Sequence, residues 1–281
     1  MLRVAALLVL STLPLAAFAE DCEYRADRSL DVDAKGLTLL KLDTGAGDLI
    51  VEGVAGLATI EVRGKACASD KDALAGIQFA QQREGSTSTV GTVIPDEANN
   101  NWSLFGDHYS YLDVHVRMPA GLKLDLRDSS GDLEVSGLTN GLDLKDSSGD
   151  ILLHDLAGAV NVTDTSGDIN VRHIAGDFTV VSDSSGDIEV DDVKGSAVVQ
   201  EDSSGDISLR HVGGDARVDR DSSGDIDFVD VGRDAVVGVD GSGDITADGV
   251  KGNFTVGAKS GSSGEIRHHG VGGTVTLPPQ G

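Results

Sequence analysis

Five verbatim copies of Asp-Ser-Ser-Gly-Asp begin at Asp128, Asp146, Asp183, Asp202 and Asp221, and near-copies begin at Asp164, Asp240 and Gly261. The motif glycines Gly131, Gly149, Gly167, Gly186, Gly205, Gly224, Gly243 and Gly264 are separated by steps of 18, 18, 19, 19, 19, 19 and 21 residues. A period this short leaves room for one supersecondary unit per repeat. Such a unit cannot bury an apolar face alone, so it must stack on its neighbours.

Aligning the repeats on the motif glycine gives apolar columns two, four, seven, eleven and thirteen residues after it. In one coil these are Ile169, Val171, Ile174, Phe178 and Val180; in the next, Ile188, Val190, Val193, Ala197 and Val199; then Ile207, Leu209, Val212, Ala216 and Val218. Offsets two and four, and again eleven and thirteen, alternate as the inward residues of a short strand do. Each coil therefore holds two strands. Gly141, Gly158, Gly176, Gly195, Gly214 and Gly252 mark the second turn, where a residue without Cβ takes positive φ at little cost. No stretch after Asp128 has the 3.6-residue apolar period of a helix. The fold class expected is all-β: a single-stranded parallel β-helix, or β-solenoid, of 18–19-residue coils with an N-terminal β-rich cap. At about 4.8 Å per coil the rod is about 40 Å long. Five residues after the motif glycine stand His154, Arg172, Asp191, Arg210 and Val229, of which Arg172, Asp191 and Arg210 alternate in charge as parallel in-register stacking favours.

The chain opens on Met1-Leu2-Arg3, an apolar run from Val4 to Leu15 and then Ala17-Phe18-Ala19, the pattern of an export signal cleaved after Ala19. The run is too short to span a bilayer, and Ala19-Glu20-Asp21 before Cys22 is not a lipobox. The reading is of an exported protein, in the periplasm or at the cell surface, with no membrane span. The formal net charge is −25, or −26 once Arg3 leaves with the signal, which makes nucleic acid and anionic lipid poor partners. In an oxidising compartment Cys22 and Cys67 are expected to form one disulfide.

Three parts follow: a signal peptide over 1–19; an N-terminal β-rich region over 20–123, with capping strands and one early repeat (44–63); and a solenoid of eight repeats over 124–281. The early repeat is read from Thr44-Gly-Ala-Gly-Asp48 followed by Ile50, Val54, Gly56, Ala58, Ile60 and Val62. A short helix near Asp70 to Ala75, strands near Thr87–Ile94 and Tyr109–Met118, and a polar loop from Pro95 to Asn101 lie between the copies. Trp102, Phe105, Tyr109 and Tyr111 concentrate there.

Stacking places Asp128, Asp146, Asp164, Asp183, Asp202, Asp221 and Asp240 in one line and Asp132, Asp150, Asp168, Asp187, Asp206, Asp225 and Asp244 in another. Like charges about 5 Å apart repel by roughly 1 kcal/mol per pair even in water-like surroundings. Two readings offset this. In one, each first aspartate accepts N–H groups of its own turn while serine hydroxyls bridge coils. In the other, Ca²⁺ sits between coils on the first line of aspartates, although the Gly-Gly-x-Gly-x-Asp pattern of calcium-loaded β-rolls is missing. No other cofactor is implied. His108, His115, His154, His173, His211, His268 and His269 have no metal-site spacing with cysteine, and read as an exposed, charge-balanced face. No catalytic constellation stands out. The paired carboxylates of polysaccharide-active enzymes need unequal surroundings and a cleft, and this chain repeats one turn.

The export signal, the early TGAGDLIVEGVAG copy, the aromatic-containing strands, the turn Met118-Pro119-Ala120-Gly121 and the SSGDIxV run resemble the bacterial β-strand-repeat "putative adhesin" family, a domain of unknown function. The resemblance implies an exported cell-envelope β-solenoid without established catalytic residues. It points to a non-enzymatic binding or structural surface, whose partner is an envelope or surface protein or a glycan.

Overall fold

Apolar residues at alternate positions, rich in Ile, Val and Leu, extend each repeat into two short strands. A computed structural model describes residues 22–95, 109–261 and 263–279. The expected signal peptide, most of the polar loop, Trp102, Phe105 and His108 lie outside the described residues. Two 12-stranded sheets face each other, and from Leu133 onward successive strands alternate between them. All pairing in that run is parallel and, but for one shift after Val162, in register, as in Ile169↔Ile188↔Ile207↔Ile226 and Val160↔Phe178↔Ala197↔Ala216. The expected β-solenoid is what the chain forms.

The five apolar columns are the core. Ile169, Val171, Ile174, Phe178 and Val180 are buried, as are their equivalents in the next two coils. A fixed inner cross-section demands constant volume per coil. Buried Phe228 accordingly shares its coil with Ala235, and in the next coil the sizes exchange to Ala247 and Phe254. The lengthening from 18 to 19 residues is one β-bulge: Val162 pairs with Val180 and Thr163 with Ser182, leaving Val181 without an opposite residue and exposed.

The N-terminal region begins with β1 (Tyr24–Asp33), β2 (Leu39–Asp43), β3 (Leu49–Val54) and β4 (Thr59–Ala68). Helix α1 (Lys71–Gly76), β5 (Gln78–Glu84), β6 (Thr87–Val93), β7 (Ser110–Pro119), β8 (Lys123–Arg127) and β9 (Leu133–Ser136) follow. Asp70 caps α1 by accepting the Ala73 N–H at 2.7 Å, as Ser, Thr, Asn and Asp do at helix starts. β2 and β3 dock as a coil against β8 and β9, so the early copy lies directly on the first coil of the run although about eighty residues separate them in sequence. β1, β4 and β7 pair antiparallel at that edge of one sheet, and β5 pairs antiparallel with β6 at the edge of the other. The Cys22–Cys67 disulfide forms, with the two Cα atoms 5.8 Å apart, and ties the start of β1 to the end of β4.

Two expectations for the early copy are corrected. The core takes Leu49 and Val51, whereas Ile50 is 40% exposed, because the inward phase after Gly47 matches offsets two and four of the later coils. Ile60 and Val62 are not the second strand of that coil. They belong to β4, which turns back antiparallel between β1 and β7; the coil's other strand is β2, which precedes the turn.

Candidate functional site

The Asp-Ser-Ser-Gly-Asp turns form one corner of the rod, where each strand of the second sheet hands over to the first. Interior alternation continues straight into the turn: Leu142 and Leu144 point inward, Lys145 outward, and Asp146 inward again. The first aspartates, Asp128, Asp146, Asp164, Asp183, Asp202, Asp221 and Asp240, are consequently all buried, with exposures of 0 to 5%. Their backbone amides pair with the next coil, as in Asp146 N–H to the Thr163 carbonyl and Asp164 N–H to the Ser182 carbonyl, both 2.9 Å.

Their carboxyl groups are poorly partnered. Asp183 accepts the Ser184 N–H at 2.7 Å and Asp221 the Ser223 N–H at 3.2 Å, the own-turn bonds expected from sequence. Both oxygens of Asp146, Asp164 and Asp202, and one each of Asp128, Asp183, Asp221 and Asp240, are buried without a hydrogen-bond partner. Burial is the main cause of raised carboxyl pKa values throughout: about 7 for Asp128 and Asp202, about 6 for Asp164 and Asp221, and upward for Asp146 and Asp183. Charge on neighbouring column members adds to this at Asp128, Asp164, Asp202 and Asp221.

Thr44 occupies the same position in the early copy and donates its hydroxyl to Asp128. At the other end Lys259 is in register with Asp240 and pairs with its carboxylate and with the Gly243 carbonyl. The line therefore runs from a hydroxyl, through seven carboxyl groups, to a half-buried ammonium.

The hydroxyls do bridge coils: Ser148 donates to the Ser129 carbonyl, Ser166 to Ser147 and Ser204 to Ser184, at 3.1 to 3.2 Å. The motif glycines hold φ between 114° and 139° from Gly131 to Gly243, and a Cβ on any of them would strike the backbone of the preceding coil.

The second line of aspartates behaves differently. Each exposed carboxylate accepts the backbone N–H of its counterpart one coil on: Asp150 to Asp132 at 3.2 Å, Asp187 to Asp168 at 2.9 Å, Asp225 to Asp206 at 2.8 Å, Asp244 to Asp225 at 2.7 Å. Asp48 begins this series by accepting from Asp132, and Glu265 ends it by donating to Asp244. Fixed N–H dipoles and open solvent thus offset the repulsion on this side.

At the second turn the expectation for glycine is corrected. Among the described residues, positive φ at this turn falls on Asp155, His173, Asp192, His211 and Asp230 and, at the same position of other coils, on Gly137, Gly249 and Gly270; it does not fall on Gly141, nor on Gly158, Gly176, Gly195, Gly214 and Gly252. The latter are small because a Cβ would collide with the coil before. Asp and His tolerate the left-handed region better than most residues. The result is a ridge of alternating sign, as Asp192 between His173 and His211 signalled; what sequence reading missed is that its residues take the left-handed backbone. His154 bonds Glu134 at 3.0 Å and Asp155 at 2.9 Å, His211 bonds Asp191 at 2.6 Å, and His173 approaches Asp155 at 3.3 Å. For His154 desolvation acts downward, but these two carboxylates outweigh it and lift the imidazole pKa; for His211 the Asp191 contact lifts it. The charge-balanced histidine face is present. Arg172, Asp191 and Arg210 stack in register, yet the side-chain partner of Asp191 is His211.

The described residues contain no group of three or more His, Cys, Asp or Glu placed to hold a metal ion, and no helix long and apolar enough to cross a membrane.

The chain matches the family described as Toastrack DUF4097 over residues 25–172 and again over 154–270. It belongs to the Toastrack DUF4097 family. Solved structures similar to this chain include a putative adhesin from Bacteroides fragilis, 16% identical over 91% of this chain and 98% of that one, with a TM-score of 0.42. A putative lipid binding protein from Parabacteroides distasonis is 13% identical over 92% and 98%, with a TM-score of 0.41. A putative adhesin from Parabacteroides merdae is 14% identical over 92% and 97%, with a TM-score of 0.39. No curated protein matches this Toastrack chain.

Proposed function

We propose that this chain is an exported, non-enzymatic β-solenoid that serves the cell envelope as an adhesin-like binding or structural surface. The observation that carries the reading is the exposed aspartate line. A rigid stack repeats one solvent-facing carboxylate per coil from Asp132 to Asp244, each held by a backbone N–H. Such a ladder suits a partner that presents basic or hydrogen-bond-donating groups at intervals, an envelope protein or a glycan, and it weakens as salt screens the field. The formal charge of −25 agrees with that choice of partner.

The test is retention of the exported chain by envelope material, compared with a variant carrying Asp150→Asn, Asp168→Asn, Asp187→Asn and Asp206→Asn. Salt-sensitive retention by the wild type and loss in the variant are expected. Equal retention of both removes the acidic line as the binding surface.

A calcium-responsive module is the second reading, favoured by the unpartnered oxygens of Asp128, Asp146, Asp164, Asp183, Asp202, Asp221 and Asp240. Opposed to it is the lack, among the described residues, of any three-residue metal-binding group. A higher unfolding midpoint in millimolar Ca²⁺ than in EDTA is its expected signature.

A further inference from the structure

The buried aspartate line poses a problem that the outer surfaces do not solve. Seven carboxyl groups follow one another coil by coil at an interior corner, and Asp221 and Asp240 are direct register partners. Full ionisation would place like charges about 5 Å apart in a medium that screens poorly, and buried charges without partners neutralise instead. The inward residues flanking the line are aliphatic: Leu144, Val162, Val180 and Val199 on one side, and Leu133, Ile151, Ile169 and Ile188 on the other. Lys145, Glu201 and Arg220, each just before a column member, point to solvent. The remaining charged groups acting on the line are Asp48 near Asp128 and Asp168 near Asp183, both of which oppose ionisation, and Lys259 at the far end. Lys259 can neutralise Asp240 alone.

We propose that the line is a proton-storing stack: in mildly acidic surroundings most of these carboxyl groups are neutral acids, each donating its O–H to an oxygen of the next coil, with Thr44 and the Asp240–Lys259 ion pair closing the two ends. This gives full hydrogen bonds to the oxygens of Asp146, Asp164 and Asp202, which as bare carboxylates make none of good geometry and feel only the pull of own-turn N–H groups such as those of Ser147, Thr165 and Ser203. Asp202 and Asp221 already interact side chain to side chain. The protons come from solvent, one per neutral carboxyl, and are taken up on folding because the unfolded chain ionises these aspartates at ordinary carboxylate pH. The sign follows from linkage. The raised folded-state values of about 6 to 7 mean that the native state binds the extra protons. The stability they confer is therefore complete below the unfolded pKa of about 4 and is lost as pH rises through about 6 to 7. The rod should be tightest in a mildly acidic envelope, whatever its outer faces bind.

The test uses the full mature chain with its disulfide intact, in EDTA. Unfolding midpoints are compared at mildly acidic and mildly alkaline pH for three proteins: the wild type, Asp164→Asn/Asp202→Asn, and the exposed-line control Asp168→Asn/Asp206→Asn. The wild type is expected to melt several degrees higher at the acidic pH and to take up protons on refolding near neutrality. The buried-line variant loses most of that difference, and the control keeps it. Infrared spectra of the folded wild type at about pH 5.5, above the ordinary carboxylate range, should show the carbonyl band of neutral carboxylic acid, and the band should fade as pH rises through about 6 to 7. That readout decides the matter even where the variant does not fold. A midpoint that is level or rises toward alkaline pH, or absence of the acid band, overturns the proposal. So does a wild type whose acid band disappears on addition of millimolar Ca²⁺ with a gain in midpoint, since the line would then be a cation site.

Discussion

Asp202 and Asp206 are the same residue type in the same five-residue turn, yet one is 2% exposed with both carboxyl oxygens unpartnered, and the other faces water and receives the Asp225 N–H at 2.8 Å. What separates them is strand phase. The first aspartate is the last inward position of one sheet's strand, and the second stands at the start of the other strand, one residue before inward Ile207. A repeated carboxylate therefore has two physical fates in this rod. One line is held by desolvation and shared protons and responds to pH; the other is held by backbone dipoles and responds to salt.

The comparison breaks most completely at the glycine that joins the two lines. Gly186→Ala puts a Cβ into the Gly167 carbonyl at a φ of 126°, and should cost more than about 4 kcal/mol or prevent folding, measured by urea unfolding. Reduction of Cys22–Cys67 comes next. It should lower stability by about 4 kcal/mol on chain-entropy grounds. Hydrogen exchange should speed up first in β1 and β4, leaving the coils beyond Asp164 protected and showing that both lines persist without the cap's crosslink. Lys259→Met removes the charge that closes the buried line. Stability should fall by about 3 kcal/mol, since the buried Asp240 carboxylate loses its ion-pair partner, read from urea denaturation midpoints. Asp206→Ala is the mildest change: it deletes one acceptor on the exposed line and should cost about 1 kcal/mol or less at any pH.

Much of this could be read from spacing. The columns Ile169, Val171, Ile174, Phe178 and Val180 recur by simple counting, and every one is interior. The disulfide, the short helix capped by Asp70, and the strands ending near Val93 and beginning near Ser110 were also legible, because they rest on local chemistry. The early copy was visible as a motif but not in its pairing. Ile60 and Val62 alternate as a coil strand would, and only the intervening β7 shows that β4 runs the other way. The left-handed backbone of the Asp/His ridge was hidden for a related reason. Glycine advertises positive φ, so Gly176 and Gly195 drew attention from His173 and Asp192, which carry it.

By itself the sequence determined the period, the number of strands per coil, the apolar residues that face inward and the two lines of aspartate, since all of these follow from spacing and from the two-residue repeat of a strand. The tertiary structure alone decided which line is buried, that Thr44 and Lys259 terminate it, and that a segment about eighty residues upstream supplies the coil beneath Asp128. Burial and ionisation depend on what lies above and below each coil. Neighbours in a stack are set by packing across the rod, which one-dimensional spacing does not encode.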